Sequence, residues 1–297
     1  MPLVVAVPFG VASAAVYGTS IVVQHRTAQQ HAGDSGSANA AGLLRLARNP
    51  VWLLAIVGDF VGFLLQLVAL STGPVVVIQP LVVLMLPVSL FVSAFLGWHH
   101  PKPRDYLGVV LVIAGLGVFL GLVGHPGHGR EPHARVLAMT IALSLVIGFA
   151  FCFTVMGRDR AVRGAMYGGV AGAFFGTIAV MVNAASHTLR HHGVHGLVAS
   201  SHGLVPIAGM ILVGCAGIVL TQMSFQIGTL AATLPANLAA DPLVAVALGA
   251  LILHERLPIS AGHIIAYVLC LIAVVLGAIQ LAAAEAEVES GATDSAT

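Results

Sequence analysis

Hydrophobic and polar residues alternate along this chain in long blocks. Nine runs of about 18 to 24 mostly apolar residues are separated by polar connections, and the runs cover residues 3–23, 51–70, 75–96, 106–123, 136–155, 165–185, 205–225, 230–253 and 260–281. Roughly 20 apolar residues in a helix cross the hydrocarbon core of a bilayer. The runs lack the strict alternation of a barrel strand, and a helix pairs its own backbone groups in lipid. The pattern predicts an all-α polytopic membrane protein with nine spans.

The connections and the end of the chain have a different composition. The longest connection covers residues 24–50, and its centre is rich in Gly, Ser, Ala and Asn, which predicts a flexible linker. Residues 284–297 are acidic and have no apolar periodicity, so we expect a disordered tail.

Composition supports a membrane location and removes several other classes. Apolar residues make up 58% of the 297 positions and charged residues only 8%, whereas about a quarter of a soluble domain is charged. A net charge of +1 leaves no basic surface for nucleic acid. The three cysteines, Cys152, Cys215 and Cys270, lie inside apolar runs without metal-binding spacing. We therefore expect neither a disulfide framework nor a zinc site.

The distribution of Lys and Arg predicts how the chain crosses the membrane. Cytoplasmic loops carry the excess of positive charge. If the N-terminus is outside, the inner loops hold eight basic residues and the outer loops four: Arg26, Arg45, Arg48, Lys102, Arg104, Arg158, Arg160 and Arg163 against Arg130, Arg135, Arg190 and Arg256. We therefore expect a plasma-membrane protein with its N-terminus outside and its C-terminus in the cytoplasm.

The chain contains an internal repeat. Residues 62–103 align without gaps on residues 217–258 at an offset of 155, with six telling identities: Gly62 and Gly217, Gly73 and Gly228, Pro80 and Pro235, Pro87 and Pro242, His99 and His254, Pro103 and Pro258. The third run points inward and the eighth outward, so the two copies are inverted. We divide the chain into a first repeat of four spans over 1–124, with its linker at 24–50, and a second repeat of five spans over 134–283.

Prolines mark the third and eighth runs. Each run has two prolines seven residues apart, which places both on nearly the same helix face. An inverted repeat with interrupted helices is typical of a secondary transporter, whose site lies between the repeats. The residues predicted to break the helices and to gate the pathway are Gly73, Pro74, Pro80, Pro87, Gly228, Pro235 and Pro242.

These motifs resemble a known superfamily. Gly73-Pro74, Gln79-Pro80-Leu81 and the segment LPANLAADP at residues 234–242, followed by HERL at 254–257, resemble the EamA-like drug/metabolite transporter superfamily. The resemblance implies two inverted helical repeats around a central cavity, and transport of small solutes without ATP. The nine-span layout is also similar to NIPA-type magnesium transporters. In that family an acidic residue follows the glycine of the second span, whereas here Phe63 follows Gly62 and the nearest acid is Asp59.

Two carboxylates lie within the predicted spans. Asp59 is about halfway along the second run, and Asp241 precedes Pro242 in the eighth. A charge at that depth costs several kcal/mol unless it is paired, hydrated or protonated. Each is either a proton- or cation-binding group or a structural carboxylate. Nearby amides could line a polar route or join helices, and they are Gln66, Gln79, Gln222, Gln226, Asn183 and Asn237.

Three further features carry weaker hypotheses. His187, His191 and His195 have i, i+4 spacing and could capture a metal or sense pH, although ordinary loop histidines are the default and Gly193 opposes a continuous helix. Glu255 and Arg256 could form a gate, but adjacent helix residues do not face one another, so a solvated cap at the membrane surface is the default. A repeated GxxxG pattern serves either the repeat interface or a homodimer, and its members are Gly168, Gly172 and Gly176.

Two functions remain open at this stage. The first is a secondary transporter of a small solute or metabolite, working by alternating access with ion coupling through Asp59 and Asp241. The alternative is a NIPA-like transporter of magnesium or another divalent cation. No catalytic motif is present, so we expect neither an enzyme nor a cofactor. The partners are then the lipid bilayer and a small-molecule or ion substrate.

Overall fold

The fold is described by a computed structural model that covers residues 2–31, 48–98, 100–124, 132–227, 230–258 and 260–294. Helix is the regular secondary structure throughout these ranges, and nine helical segments within them are long and apolar enough to cross a bilayer. The prediction of an all-α polytopic membrane protein with nine spans is confirmed. Many large apolar side chains point outward, as expected for a surface that faces lipid.

Seven of the nine spans are each one uninterrupted helix, and the sixth has a break at Gly193 near its C-terminal end. The first, second and fourth to ninth spans cover Pro2–His31, Pro50–Thr72, Pro103–Val123, Ala134–Thr154, Arg160–Ala199, Ser201–Ile227, Leu230–Ile252 and Ala261–Asp294. The second span shows how the sequence starts a helix. Asn49 accepts hydrogen bonds from the N–H groups of Val51 and Trp52, and Pro50 occupies the first turn, where its missing N–H has no cost.

The third span differs from the others because it is divided. It consists of a short α-helix at Val75–Ile78, a 3₁₀ helix at Gln79–Leu84 and a second α-helix at Met85–Phe95. Pro80 lies at the start of the 3₁₀ segment, and Pro87 falls in the first turn of the following helix. The third span is thus interrupted near Pro80, as the sequence predicts.

The predicted break in the eighth span is wrong. Pro235 and Pro242 lie inside a continuous helix, Leu230–Ile252, and do not break it. A membrane helix tolerates proline when its surroundings satisfy the backbone groups that proline leaves unpaired, and here the sixth span packs closely along the eighth. Gly228 lies outside the described residues.

The spans pack in a similar order in the two halves. The first span contacts the second and third, and the sixth contacts the seventh and eighth. The fourth and ninth spans pack against each other, as do the third and eighth. The fifth span packs on the sixth and seventh. The third span is the most buried of the nine, so residues on it can contact both halves.

The glycine stripe of the sixth span joins two helices of the same half. A Cβ atom at Gly168, Gly172 or Gly176 would collide with the backbone oxygens of Thr233, Asn237 and Asp241 in the eighth span. The glycines therefore allow helix-to-helix backbone contact. The sequence left a choice between the repeat interface and a homodimer, and the stripe serves neither, because the eighth span covers it.

The helices of the first and ninth spans extend into the predicted linker and tail. The first span continues to His31, so the predicted linker begins later than residue 24, and residues 32–47 lie outside the described part of the chain. The ninth span continues to Asp294, where a disordered tail was expected from residue 284. The added segment is rich in Ala and Glu, which have high helix propensity, and this explains the continuation.

Candidate functional site

A chain of buried polar side chains crosses three spans. The Nε2 of Gln66, on the second span, donates to Oε1 of Gln79 at 3.3 Å. The Nε2 of Gln79, on the third span, donates to Oδ1 of Asp241 on the eighth at 2.6 Å. All three side chains are buried, with 5 to 7% of their surface exposed. Three of the predicted site residues, far apart in sequence, are therefore in direct contact.

Local structure places these three residues. The second span ends at Thr72, and Gly73-Pro74 turns the chain back so that the third span runs beside it. Gln66 lies about two turns before that reversal, and Gln79 about one turn after it. The backbone oxygen of Asp241 faces Gly176, where the absence of a side chain brings the eighth span close to the sixth. The chain reversal and the glycine contact together fix the geometry.

One oxygen atom in this series of polar side chains has no hydrogen-bond donor. The Oε1 atom of Gln66 is buried and accepts no hydrogen bond within the described residues. A buried acceptor without a donor costs about 1 to 3 kcal/mol, so such atoms often mark a functional position. Amide and carboxylate oxygens are the ligands preferred by hard cations such as Mg²⁺. The Oε1 atom of Gln66 is thus an open oxygen in the same hydrogen-bonded series as the Asp241 carboxylate.

A second polar group joins the first and second spans. The Nε2 of Gln24 donates to Oδ2 of Asp59 at 2.6 Å, and it lies 3.5 Å from the backbone oxygen of Ala55. Asp59 is partly exposed, unlike Asp241. Tyr17 on the first span packs on Gly62. Sequence reasoning missed Gln24 and Tyr17, because a Gln at the end of an apolar run and a lone Tyr are common in membrane helices.

The break at Gly73-Pro74 is capped on both sides by the second half of the chain. The Nδ2 of Asn183, on the sixth span, donates to the backbone oxygens of Leu70 and Gly73 at 2.9 and 3.4 Å. Both carboxylate oxygens of Glu255 accept, at 2.8 Å each, from the backbone N–H groups of Val75 and Val76. A donor at a helix C-terminus and an anion at an N-terminus both suit the helix dipole.

The position of Glu255 corrects a prediction. The sequence suggested a solvated cap, but Glu255 is only 4% exposed, while its neighbour Arg256 is exposed. The turn after the eighth span explains this, because His254 adopts a left-handed conformation with φ 57° and sends the next residue back toward the bundle. Burial raises the pKa of Glu255, and the two N–H donors oppose that rise.

The remaining candidate residues lie elsewhere. Asn237 donates to Oγ1 of Thr221 at 3.4 Å and so joins the eighth span to the seventh. Gln222 belongs to the seventh span, but its side chain lies outside what the structure describes. The rings of His187 and His191 are 4.3 Å apart, and His195 follows a helix break at Gly193, where φ is 65°. Among described residues, no three His, Cys, Asp or Glu side chains form a metal-binding group.

An apolar cavity of about 250 Å³ lies between the third, fourth, eighth and ninth spans. Pro80 and Pro242 line it, and these prolines follow Gln79 and Asp241 directly in the sequence. Phe119 of the fourth span and Tyr267 of the ninth line another part of its wall. The polar chain is therefore flanked by a space without polar lining.

Nine spans with buried carboxylates and amides beside an interrupted helix are the architecture of a membrane transporter. Comparison with known proteins agrees. The model of the family described as "Magnesium transporter NIPA" matches residues 3–156, and the chain belongs to this family. It is also 31% identical over 280 residues to an uncharacterized protein of Corynebacterium glutamicum, covering 93% of this chain and 94% of that protein. No solved structure matches the chain.

Proposed function

We propose that this protein carries divalent cations, Mg²⁺ first among them, across the membrane. The observation that supports this best is the chain from Gln66 through Gln79 to Asp241, because it offers only oxygen ligands for a cation and contains one carboxylate. Mg²⁺ prefers oxygen, keeps several of its waters and is usually held by one or two carboxylates. Membership of the magnesium transporter family favours the same ion.

The roles of the three residues follow from their chemistry. Asp241 supplies the negative charge that compensates the loss of water around a cation in the membrane. Gln66 already has an oxygen without a donor. Rotation of the Gln79 amide about its last torsion would turn its oxygen toward the ion, and a matching rotation of Gln66 would let the free Oε1 of Gln66 accept from the Gln79 N–H. The cation then replaces the hydrogen bond that Asp241 now accepts from Gln79.

A flux assay tests the role of Asp241. Proteoliposomes containing a magnesium-sensitive dye receive external Mg²⁺, and the initial rates of wild type and Asp241→Asn are compared. Asparagine keeps the shape and one acceptor oxygen but removes the charge. We expect the rate to fall at least about tenfold, the factor that corresponds to 1.4 kcal/mol.

A matched control uses another buried acid. Asp105 is fully buried at the start of the fourth span, where it accepts a hydrogen bond from the N–H of Lys102. Asp105→Asn also removes a buried carboxylate but lies outside the polar chain, so we expect a rate close to wild type. Equal rates for Asp241→Asn and wild type would overturn the assignment of Asp241. Absence of any Mg²⁺ flux through folded wild type would overturn the choice of substrate.

A second candidate function is the transport of a small organic solute coupled to an ion, as in the drug/metabolite transporter superfamily. The apolar cavity beside Pro80 and Pro242 supports it, because it could take the apolar part of such a solute next to the polar chain. A thermal-stability screen of the purified protein against metabolites and metal ions separates the two functions, since a bound substrate raises the melting temperature.

We further propose a plasma-membrane location with the N-terminus outside and the C-terminus in the cytoplasm, as the distribution of basic residues favours. The Gly73-Pro74 break would then lie near the outer surface. A reporter enzyme fused to the C-terminus, active only in the cytoplasm, tests this orientation. Activity of a second C-terminal reporter that works only outside the cell would contradict the proposed orientation.

A further inference from the structure

The N-terminal end of the third span has two backbone N–H groups that find no acceptor in the neighbouring backbone. Pro74 has no N–H, and the N–H groups of Val77 and Ile78 both reach the backbone oxygen of Pro74 at 3.1 Å. Those of Val75 and Val76 remain, and Glu255 accepts from both at 2.8 Å. One side chain, about 180 residues away in sequence, therefore satisfies both donors of this buried helix end.

We propose that Glu255 is a latch, which holds this end of the third span closed against the second half and must release it before the polar chain opens to that side of the membrane. The inference rests on the proposed function in so far as the polar chain is the transport route. The geometry that supports it is independent of which substrate is carried.

The latch is linked directly to the polar chain. The backbone N–H of Gln79 donates to the backbone oxygen of Val75, so the helix Val75–Ile78 connects the two. One end of this single turn is held by Glu255, and at the other end Gln79 is held by Asp241. Asp241 belongs to the eighth span, and Glu255 follows it three residues after its end. Release of Glu255 would therefore leave the hydrogen bond from Gln79 to Asp241 to hold this turn against the eighth span.

The latch is confined to one end of the repeat. The position 155 residues before Glu255 is His100, and its side chain is exposed. An imidazole has at most one acceptor nitrogen and cannot receive two parallel N–H groups. The contact of Glu255 therefore has no equivalent at His100, and the two sides of the bundle differ in how they are held.

Accessibility of a buried reporter tests the latch without any transport assay. Ala69 is fully buried, one turn before Gly73, whose N–H donates to its backbone oxygen. Ala69→Cys is made in a background in which Cys152, Cys215 and Cys270 are replaced by serine or alanine. A membrane-impermeant thiol reagent is then added to right-side-out and to inverted vesicles, and the labelling rate is measured.

We expect Glu255→Ala to raise the labelling rate at least about tenfold from the membrane side that carries Gly73, because two hydrogen bonds to a charged acceptor are lost. Glu255→Gln keeps one acceptor oxygen, so its rate should lie between those of wild type and Glu255→Ala. Arg256→Gln removes an exposed charge from the same loop and should leave the rate unchanged.

Two results would overturn the latch. One is wild-type labelling in folded Glu255 variants, and the other is an equal increase in Arg256→Gln. If Glu255→Ala does not fold, as judged by size-exclusion chromatography, the milder Glu255→Gln decides the matter. Labelling requires no cation. A wild-type protein that carries no Mg²⁺ would therefore overturn the proposed substrate but would not affect the labelling result.

Discussion

Gln24 and Asp59 join the first and second spans through a hydrogen bond of 2.6 Å. Asp59 is partly exposed, whereas Asp241, on the eighth span, is buried and held by Gln79. A carboxylate that is accessible at the surface of the helix bundle is more easily reached by a proton donor than one enclosed among helices. The two acids therefore suit different tasks, with Asp59 the better candidate for coupling and Asp241 for the substrate.

Substitution of Asp59 tests that coupling. In proteoliposomes with an imposed pH gradient, we expect wild-type transport to depend on the gradient and Asp59→Asn to lose that dependence, because the amide cannot bind and release a proton. Gln24→Leu removes the hydrogen bond but keeps the carboxylate, and it should retain gradient dependence. Transport by Asp59→Asn that still follows the gradient would show that the coupling group lies elsewhere.

Gln79 should contribute more to stability than Gln66. Gln79→Leu leaves the buried oxygen Oδ1 of Asp241 without a donor, and we expect a loss of about 2 to 3 kcal/mol. Gln66→Leu leaves only a neutral amide oxygen of Gln79 without a donor, for a loss of about 1 kcal/mol. Thermal unfolding in detergent compares the two variants.

A double variant serves as the control for this pair. Replacing Gln79 and Asp241 together by leucine removes donor and acceptor at once, so part of the lost stability should return. Equal losses in Gln79→Leu and Gln66→Leu would contradict the ranking.

The glycine stripe predicts a contrast between two Gly→Ala variants. At Gly172 the new methyl group would collide with the backbone oxygen of Asn237, and we expect a loss of about 1 to 3 kcal/mol. At Gly117, in the fourth span, nothing lies within 4 Å of the added carbon. There the substitution should be neutral or stabilising by about 0.5 to 1 kcal/mol, because alanine favours helix. Melting temperatures of the two variants decide, and a Gly172→Ala variant as stable as wild type would refute the close contact.

Magnesium itself should stabilise the purified protein. A ligand at 100 times its dissociation constant adds about 2.7 kcal/mol to the free energy of unfolding. We expect this increase in wild type and its loss in Asp241→Asn, measured by thermal unfolding with and without MgCl₂. Choline chloride at equal ionic strength controls for salt. A shift that persists in Asp241→Asn would place the ion at another site.

The sequence predicts the number of spans well, because the hydrocarbon thickness sets a length that each apolar run must match. It predicts their ends less well. The apolar run predicts the sixth span over residues 165–185, whereas the structure has helix over Arg160–Ala199 with a break at Gly193, because polar residues can continue a helix beyond the apolar run. Matched prolines suggested two broken helices. The eighth span is nevertheless continuous in the structure. It packs closely on Gly172 and Gly176, and the prolines alone do not predict that contact.

The candidate site was likewise predicted only in part from the sequence. Gln66, Gln79 and Asp241 were found individually, since a polar residue inside an apolar run is conspicuous. Their mutual contact depends on how the eighth span lies against the third, and one sequence does not contain that information. Glu255 was misjudged because its burial follows from the backbone turn at His254 and from donors at Val75, both of which appear only in the fold.

The 3₁₀ segment Gln79–Leu84 makes the third span longer than an α-helix of the same residues would be. Each residue rises about 2.0 Å in a 3₁₀ helix and about 1.5 Å in an α-helix, so six residues differ by about 3 Å between the two forms. Conversion to α-helix would shorten the span by that distance and rotate Gln79 relative to Met85, while both neighbouring helices stayed intact. The interrupted helix could thus change its length along its own axis by about 3 Å, beginning at the residue that binds Asp241.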